Sequence, residues 1–134
     1  MKIREISGLY IKIATALNSQ KKAVNGSNIL FLGVAYKPNI NDERESPALE
    51  IMDITAHKGG LVTYHDPYIA KVRTNEGRTF SSQELTIEVI AKADCVVLTT
   101  NHKDFDVEFI QEHARLVVDL RNMVKEKGEN IFKL

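Results

Sequence analysis

The chain has no tryptophan, a single cysteine, three prolines and no excess of either charge, and each scarcity removes a class of protein. With Cys95 alone, no intramolecular disulfide can form, which excludes the small stapled secreted scaffolds and fits a reducing cytoplasm. Lys plus Arg and Asp plus Glu balance at 18 each, so no general field draws nucleic acid or an anionic membrane surface, and any anion must be met by local placement. No apolar run reaches the roughly 18 residues of a membrane span and no signal peptide is visible, which reads as a soluble, untargeted chain. His57, His65, His102, His113 and Cys95 show no metal-ligand spacing, so no metal is expected. Internal repeats and low-complexity tracts are also lacking.

What is present is enough for one core. At 134 residues with 43% hydrophobic content, the chain can bury one core well and is too short for two. Ile3, Ile6, Tyr10, Ile13 and Leu17 recur at spacings of three and four, which predicts an amphipathic helix over 3–22 that stops by Asn25-Gly26. Ile29 to Val34 is a continuous apolar run bounded by turn signals, the pattern of a strand buried on both faces. Ser46-Pro47 predicts a helix start, with the serine as N-cap and the proline at the first helical position; Gly59-Gly60 closes that helix. "LVTY" predicts the next strand, halted by His65-Asp66-Pro67, with Asp66 as a turn starter. "VRTNEGRTF" fits a hairpin around Asn-Glu-Gly or a loop. A short helix from Ser81 to Ala91, a buried strand "CVVLTT", a helix from Val107 to His113 and a strand "LVVDL" complete the pattern. Strands alternating with helices predict an α/β, Rossmann-like open and mainly parallel sheet with helices on both faces, preceded by the amino-terminal helix.

In such a sheet ligands bind outside the carboxyl ends of the strands. The strand exits carry Tyr36-Lys37, His65-Asp66, Asn101-His102 and Arg121-Asn122, and the two permanent cations, Lys37 and Arg121, suit a phosphate or a carboxylate. A dinucleotide fingerprint needs G-x-G-x-x-G turning at once into a helix. Here the sequence is G-V-A-Y-K-P, with only Gly33 in place and the helix delayed to Ser46. Asp66 stands where a ribose-binding acid would, yet the phosphate turn is missing. The expectation is a Rossmann-shaped domain without NAD, carrying a longer loop for a different phosphate.

"ILFLGVAYKPNINDERESPALEI", "YHDPY", "ADCVVLTTNHKDF" and "VVDLRN" resemble, in that order, the motifs of the C-terminal domain of UDP-glucose/GDP-mannose dehydrogenases. The resemblance runs from about Lys22 to Asn122. It implies that residues 1–24 are the end of a central connector helix and residues 25–134 a UDP-sugar-binding domain. That family oxidises the 6-hydroxymethyl group of a nucleotide sugar with NAD and a catalytic cysteine, both held on an N-terminal domain and central segment missing here. Carried over by position, Lys37 would contact the nucleotide sugar, the segment at Tyr36 would line its pocket and Arg121 would meet the UDP-sugar. Asp42, Arg44 and Ser46 match D-x-R-x-S-P and would order the loop and cap the helix. "AYKPNINDERESP" looks closer to the UDP-N-acetylhexosamine branch, that of N-acetylmannosamine or N-acetylglucosamine, than to the UDP-glucose branch. The resemblance implies no catalytic residue, cofactor or metal on this chain.

Blander roles stand beside these. Lys37 also reads as a solvated loop lysine, and Arg121 as a structural partner of Asp119 or of an acid near Asp42. Cys95, inside an apolar strand, reads as an inert core thiol. His65 and His102 read as loop histidines satisfied by backbone. A stand-alone nucleotide-binding or regulatory module using the same edge is the alternative to an oxidoreductase domain. The width of the apolar stripe on the amino-terminal helix, with Leu9, Ile11 and Ala16 beside it, predicts a homodimer.

Overall fold

The computed structural model describes residues 3–34, 47–100, 102–103, 105–121, 123–124, 128 and 130–133, with side chains from Ile6 onward. The elements in chain order are α1 (Ile3–Ser19), β1 (Asn28–Leu32), α2 (Pro47–His57), β2 (Leu61–His65), β3 (Lys71–Arg73), β4 (Thr79–Ser81), α3 (Ile87–Lys92), β5 (Cys95–Leu98), α4 (Val107–His113), β6 (Val117–Asp119) and β7 (Ile131–Lys133). Five strands form one sheet in the order β2-β1-β5-β6-β7, with every neighbouring pair parallel.

The continuous apolar runs are explained by two-sided burial. Ile29, Phe31, Cys95, Val97 and Val118 face a core closed by α1 and α2, whereas Leu30, Leu32, Val96, Leu98 and Val117 face a second core closed by α3 and α4. Register keeps the two sets apart: Phe31 sits between Tyr64 and Val97, and Leu32 between His65 and Leu98.

Helix α1 covers the apolar pattern but ends at Ser19, short of the expected residue 22. Lys21 takes a left-handed φ of 60°, and Lys22 and Lys21 return N–H bonds to Leu17 and Asn18, the closing pattern of a helix C-terminus. Asn25-Gly26 belongs instead to the turn into β1. Ile6, Ile13, Ala16 and Leu17 are buried in the chain's own core, Leu9 and Tyr10 pack against it, and Ile11 remains 58% exposed. The stripe that predicted self-association is therefore mostly covered at home.

The stretch after β2 resolves one open alternative, and two further differences concern α3 and the chain's end. "VRTNEGRTF" is a hairpin, β3 with β4, whose Val72 and Phe80 pack on the first core. Arg78 reaches back from its turn to Asp53 of α2 at 3.1 Å. The helix expected from Ser81 begins only at Ile87, because Ser81 pairs with Lys71 in the hairpin and Ser82 bridges to Tyr64. Thr86 caps the helix by accepting the Val89 N–H at 3.1 Å. Beyond β6, Ile131–Lys133 adds an edge strand that its short pattern did not announce.

Candidate functional site

In chain order the sheet strands run outward in one direction to β2 and in the other to β5, β6 and β7, so connectivity reverses between β1 and β5. The crevice at the carboxyl ends of such a strand pair is where open α/β sheets take ligands. Two residues leave β1 there, Gly33 and Val34, and nearly every backbone group around them is bonded. The Leu32 carbonyl accepts the N–H groups of Thr99 at 3.1 Å and Thr100 at 3.3 Å and the Thr99 hydroxyl at 3.0 Å. Gly33 donates to the His65 carbonyl at 2.9 Å, and its own carbonyl accepts the Thr99 hydroxyl. Gly33 has φ +94°, and a Cβ there would lie 2.4 Å from Thr100 Cβ, so both conformation and space require glycine.

Val34 is held by Asp66. This carboxylate, buried at the end of β2, accepts the Val34 N–H at 2.8 Å and the N–H groups of Tyr68 at 2.8 Å and Ile69 at 3.2 Å. His102 Nε2 lies 3.1 Å from the same oxygen that holds Val34, and both side chains are fully shielded from solvent. A carboxylate only accepts, so Nε2 carries the hydrogen. The imidazole is wedged between Tyr68, with ring centroids 5.1 Å apart, and Phe105 at 5.3 Å. Asp66 does start the turn, as expected. It cannot meet a ribose, because its acceptor capacity is spent inside the fold. His102 is satisfied by a side chain rather than by backbone alone, while His65 follows expectation and donates from Nδ1 to the Gln83 carbonyl at 2.7 Å.

At the end of β6 a second buried acid plays a similar part. Asp119 accepts the backbone N–H of Arg121 at 3.0 Å and of Val124 at 2.7 Å. It therefore takes the Arg121 main chain and not the guanidinium, which is exposed and has no ion-pair partner among the described residues. Of the sequence-predicted site, Arg121 is placed at the carboxyl edge; Tyr36, Lys37, Asp42, Arg44 and Ser46 lie outside the described residues. Sequence reasoning placed Asp66 as a turn starter and Asp119 beside Arg121; what it did not identify is the Asp66–His102 contact and the hold of Asp119 on Val124. The available signal was an acid at or directly after the end of two strands, in "YHDPY" and "VVDLRN".

Cys95 is wholly buried, and that burial pushes its thiol pKa well above the ordinary value, the opposite of what a nucleophile needs. Among the described residues no three His, Cys, Asp or Glu side chains are grouped to hold a metal, and no helix is long and apolar enough to cross a membrane.

A parallel sheet in the order β2-β1-β5-β6-β7, with helices on both faces and a switch point between β1 and β5, defines a Rossmann-like α/β domain. A profile of the UDP-glucose/GDP-mannose dehydrogenase family, UDP binding domain, matches residues 30–126, and the chain belongs to that family. A UDP-glucose 6-dehydrogenase from Rickettsia bellii is 35% identical over 124 residues, covering 85% of this chain and 27% of that protein. A UDP-N-acetyl-D-mannosamine dehydrogenase from Pyrococcus horikoshii is 34% identical over 103 residues, covering 73% of this chain and 22% of its own length. The solved structure of UDP-D-ManNAc dehydrogenase from Pyrococcus horikoshii superposes with a TM-score of 0.78 at 26% identity, over 97% of this chain and 30% of that one. The chain thus spans about a quarter of the length of the curated relatives, and identity does not rank the two sugars.

Proposed function

We propose that the chain is the UDP-sugar-binding domain of an NAD-dependent nucleotide-sugar 6-dehydrogenase, which oxidises a UDP-hexose or UDP-N-acetylhexosamine to the uronic acid. The observation that carries this reading is the exposed Arg121 guanidinium at the carboxyl edge of a family UDP binding domain. Lys37, three residues after Val34 in the sequence, supplies the second cation, and Tyr36 lines the pocket. Asp42, Arg44 and Ser46 order the loop. Residues 1–24 end a connector helix and residues 25–134 form the binding domain.

Two features support placing NAD elsewhere: Thr100 lies against Gly33, and the Asp66 carboxylate is occupied by four donors. The cofactor and the catalytic cysteine belong to the N-terminal domain and central segment of the longer enzyme, and the chain alone turns nothing over. It works in the cytoplasm. Homodimerisation would use the α1 face around Ile11, the part of the stripe its own core leaves bare.

Titration of the isotope-labelled chain with UDP, UDP-N-acetylglucosamine and NAD tests the reading. UDP and the UDP-sugar should shift the Gly33 and Val34 amides, and NAD should not. Lys37→Ala and Arg121→Ala should each weaken UDP by about tenfold or more, the loss of one charge-assisted contact. Equal response to NAD and UDP, or folded variants that bind UDP like the parent, would count against it.

A further inference from the structure

The β3–β4 hairpin turns Val72 and Phe80 onto the first core. Alternation along the two strands therefore puts Lys71, Arg73, Thr79 and Ser81 together on the outer face, all exposed. Lys71 stands opposite Ser81 and Arg73 opposite Thr79, so each cation faces a hydroxyl residue at about 5 Å between Cβ atoms, and the two pairs lie about 7 Å apart along the ribbon. Among the described residues none of these four side chains has a hydrogen-bond or ion-pair partner. The hairpin's third cation differs: Arg78 is neutralised by Asp53 at 3.1 Å and Glu76 at 2.9 Å. A concavity of about 520 Å³ is lined by the four polar residues together with Val72 and Phe80. Since the Val72 side chain is buried against the core, the concavity opens on the outer face. The ribbon is also held at both ends. Arg78 ties its turn to α2, and Ser82 at its base donates to the Ala70 carbonyl at 2.8 Å and bridges to Tyr64 of β2.

We propose that this outer face is an anion site that takes a phosphate group, from inorganic phosphate or from a phosphorylated small molecule. Arg73 offers a planar fork, Lys71 a compact charge, and Thr79 and Ser81 two O–H donors to phosphate oxygens. Two joined phosphates suit it better than one, because the cations stand one strand repeat apart. The site is separate from the carboxyl edge at Arg121: the hairpin lies outside β2, and β2 and β6 are three strand spacings apart in sheet order, about 14 Å. It does not rest on the UDP-sugar reading. Cations on an outer strand also discourage pairing with another chain, but that role needs neither hydroxyls opposite them nor any preference among anions.

The test titrates the isotope-labelled 134-residue chain with inorganic phosphate, pyrophosphate and UDP, against sodium chloride of matched ionic strength. Pyrophosphate should shift the amides of Lys71 to Arg73 and Thr79 to Ser81 saturably and about tenfold more tightly than phosphate, with no response to chloride. UDP should move the same amides. An affinity equal to that of pyrophosphate identifies a site that reads the diphosphate alone, and a higher one a nucleotide site. Lys71→Ala and Arg73→Ala should each weaken pyrophosphate about tenfold, and Thr79→Val combined with Ser81→Ala several-fold, whereas Lys92→Ala, which removes an exposed cation of α3, should not. All these side chains are exposed, and unchanged amide positions away from the hairpin verify that each variant is folded. Shifts that follow ionic strength alone, or hairpin variants that bind pyrophosphate like the parent, overturn the proposal. Arg121→Ala should leave the hairpin response intact. A chain that binds pyrophosphate at the hairpin and no UDP at Gly33 and Val34 therefore keeps this site and loses the functional reading.

Discussion

At the amino edge of the sheet, Asp94 stands between Lys22 Nζ at 2.6 Å and Arg115 Nη1 at 3.6 Å and takes the Asn28 N–H at 2.8 Å. At the carboxyl edge, Asp66 and Asp119 take five backbone N–H groups between them and one imidazole. The amino edge consumes its cations in holding α1, β1 and β6 together. At the carboxyl edge the acids are occupied by main chain, so the Arg121 charge is not cancelled by the nearest carboxylate. Burying an acid against N–H dipoles shapes a turn and leaves a neighbouring cation available for a ligand. The same residue types thus build a closed edge and an open one.

The comparison breaks most visibly if Asp66 is removed. Asp66→Ala leaves three N–H groups and an imidazole without their shared acceptor in a site closed to water, and should cost about 3–5 kcal/mol. Urea unfolding measures it; a loss below about 1 kcal/mol would show that the N–H groups find other partners. Gly33→Ala comes next. Its Cβ would stand 2.4 Å from Thr100 Cβ and 3.1 Å from the Thr100 backbone nitrogen, at a φ that L-residues rarely adopt, so about 2–4 kcal/mol is expected. Replacing Thr100 by serine removes only its methyl, so Gly33→Ala should remain costly in that background; full recovery would mean the methyl alone sets the limit.

What sequence reasoning could see follows the range of the interactions. Strands β1 and β5, buried on both faces, are continuous apolar runs, and α4 from Val107 to His113 is framed by local pattern, so these elements were legible. The end of α1 was not, since Lys21 adopts the left-handed conformation in place of a glycine. Nor was the start of α3, because Ser81 and Ser82 answer to strands elsewhere in the chain. β7 is three residues long and, among the described residues, pairs with β6 alone. The carboxyl-edge location of the site was readable from strand exits, whereas the Asp66–His102 bond spans 36 positions and has no local signature. A single sequence shows that Asp66 begins a turn, and not that it closes over a histidine.

The smallest effect sharpens the comparison at the closed edge. Burial pushes the Asp94 carboxyl up, but the hydrogen bond from Lys22, the Asn28 N–H and the charges of Lys22 and Arg115 together outweigh it, so its pKa lies below the ordinary range. A carboxyl lowered on folding contributes stability that is fully present above its unfolded value, about 4, and is lost as pH falls through the folded one. Asp94→Asn should therefore cost stability at neutral pH, and the gap to the parent should close as the pH is taken below about 4. Lys22 and Arg115 side chains are 38% and 59% exposed, which limits the cost to about 0.2–1 kcal/mol and makes it shrink in salt. Paired urea titrations from neutral to acid pH, at low and high salt, read this directly. A gap independent of both would mean that Asp94 acts at the amino edge as Asp66 does at the carboxyl edge, through the shape of its hydrogen bonds rather than its charge.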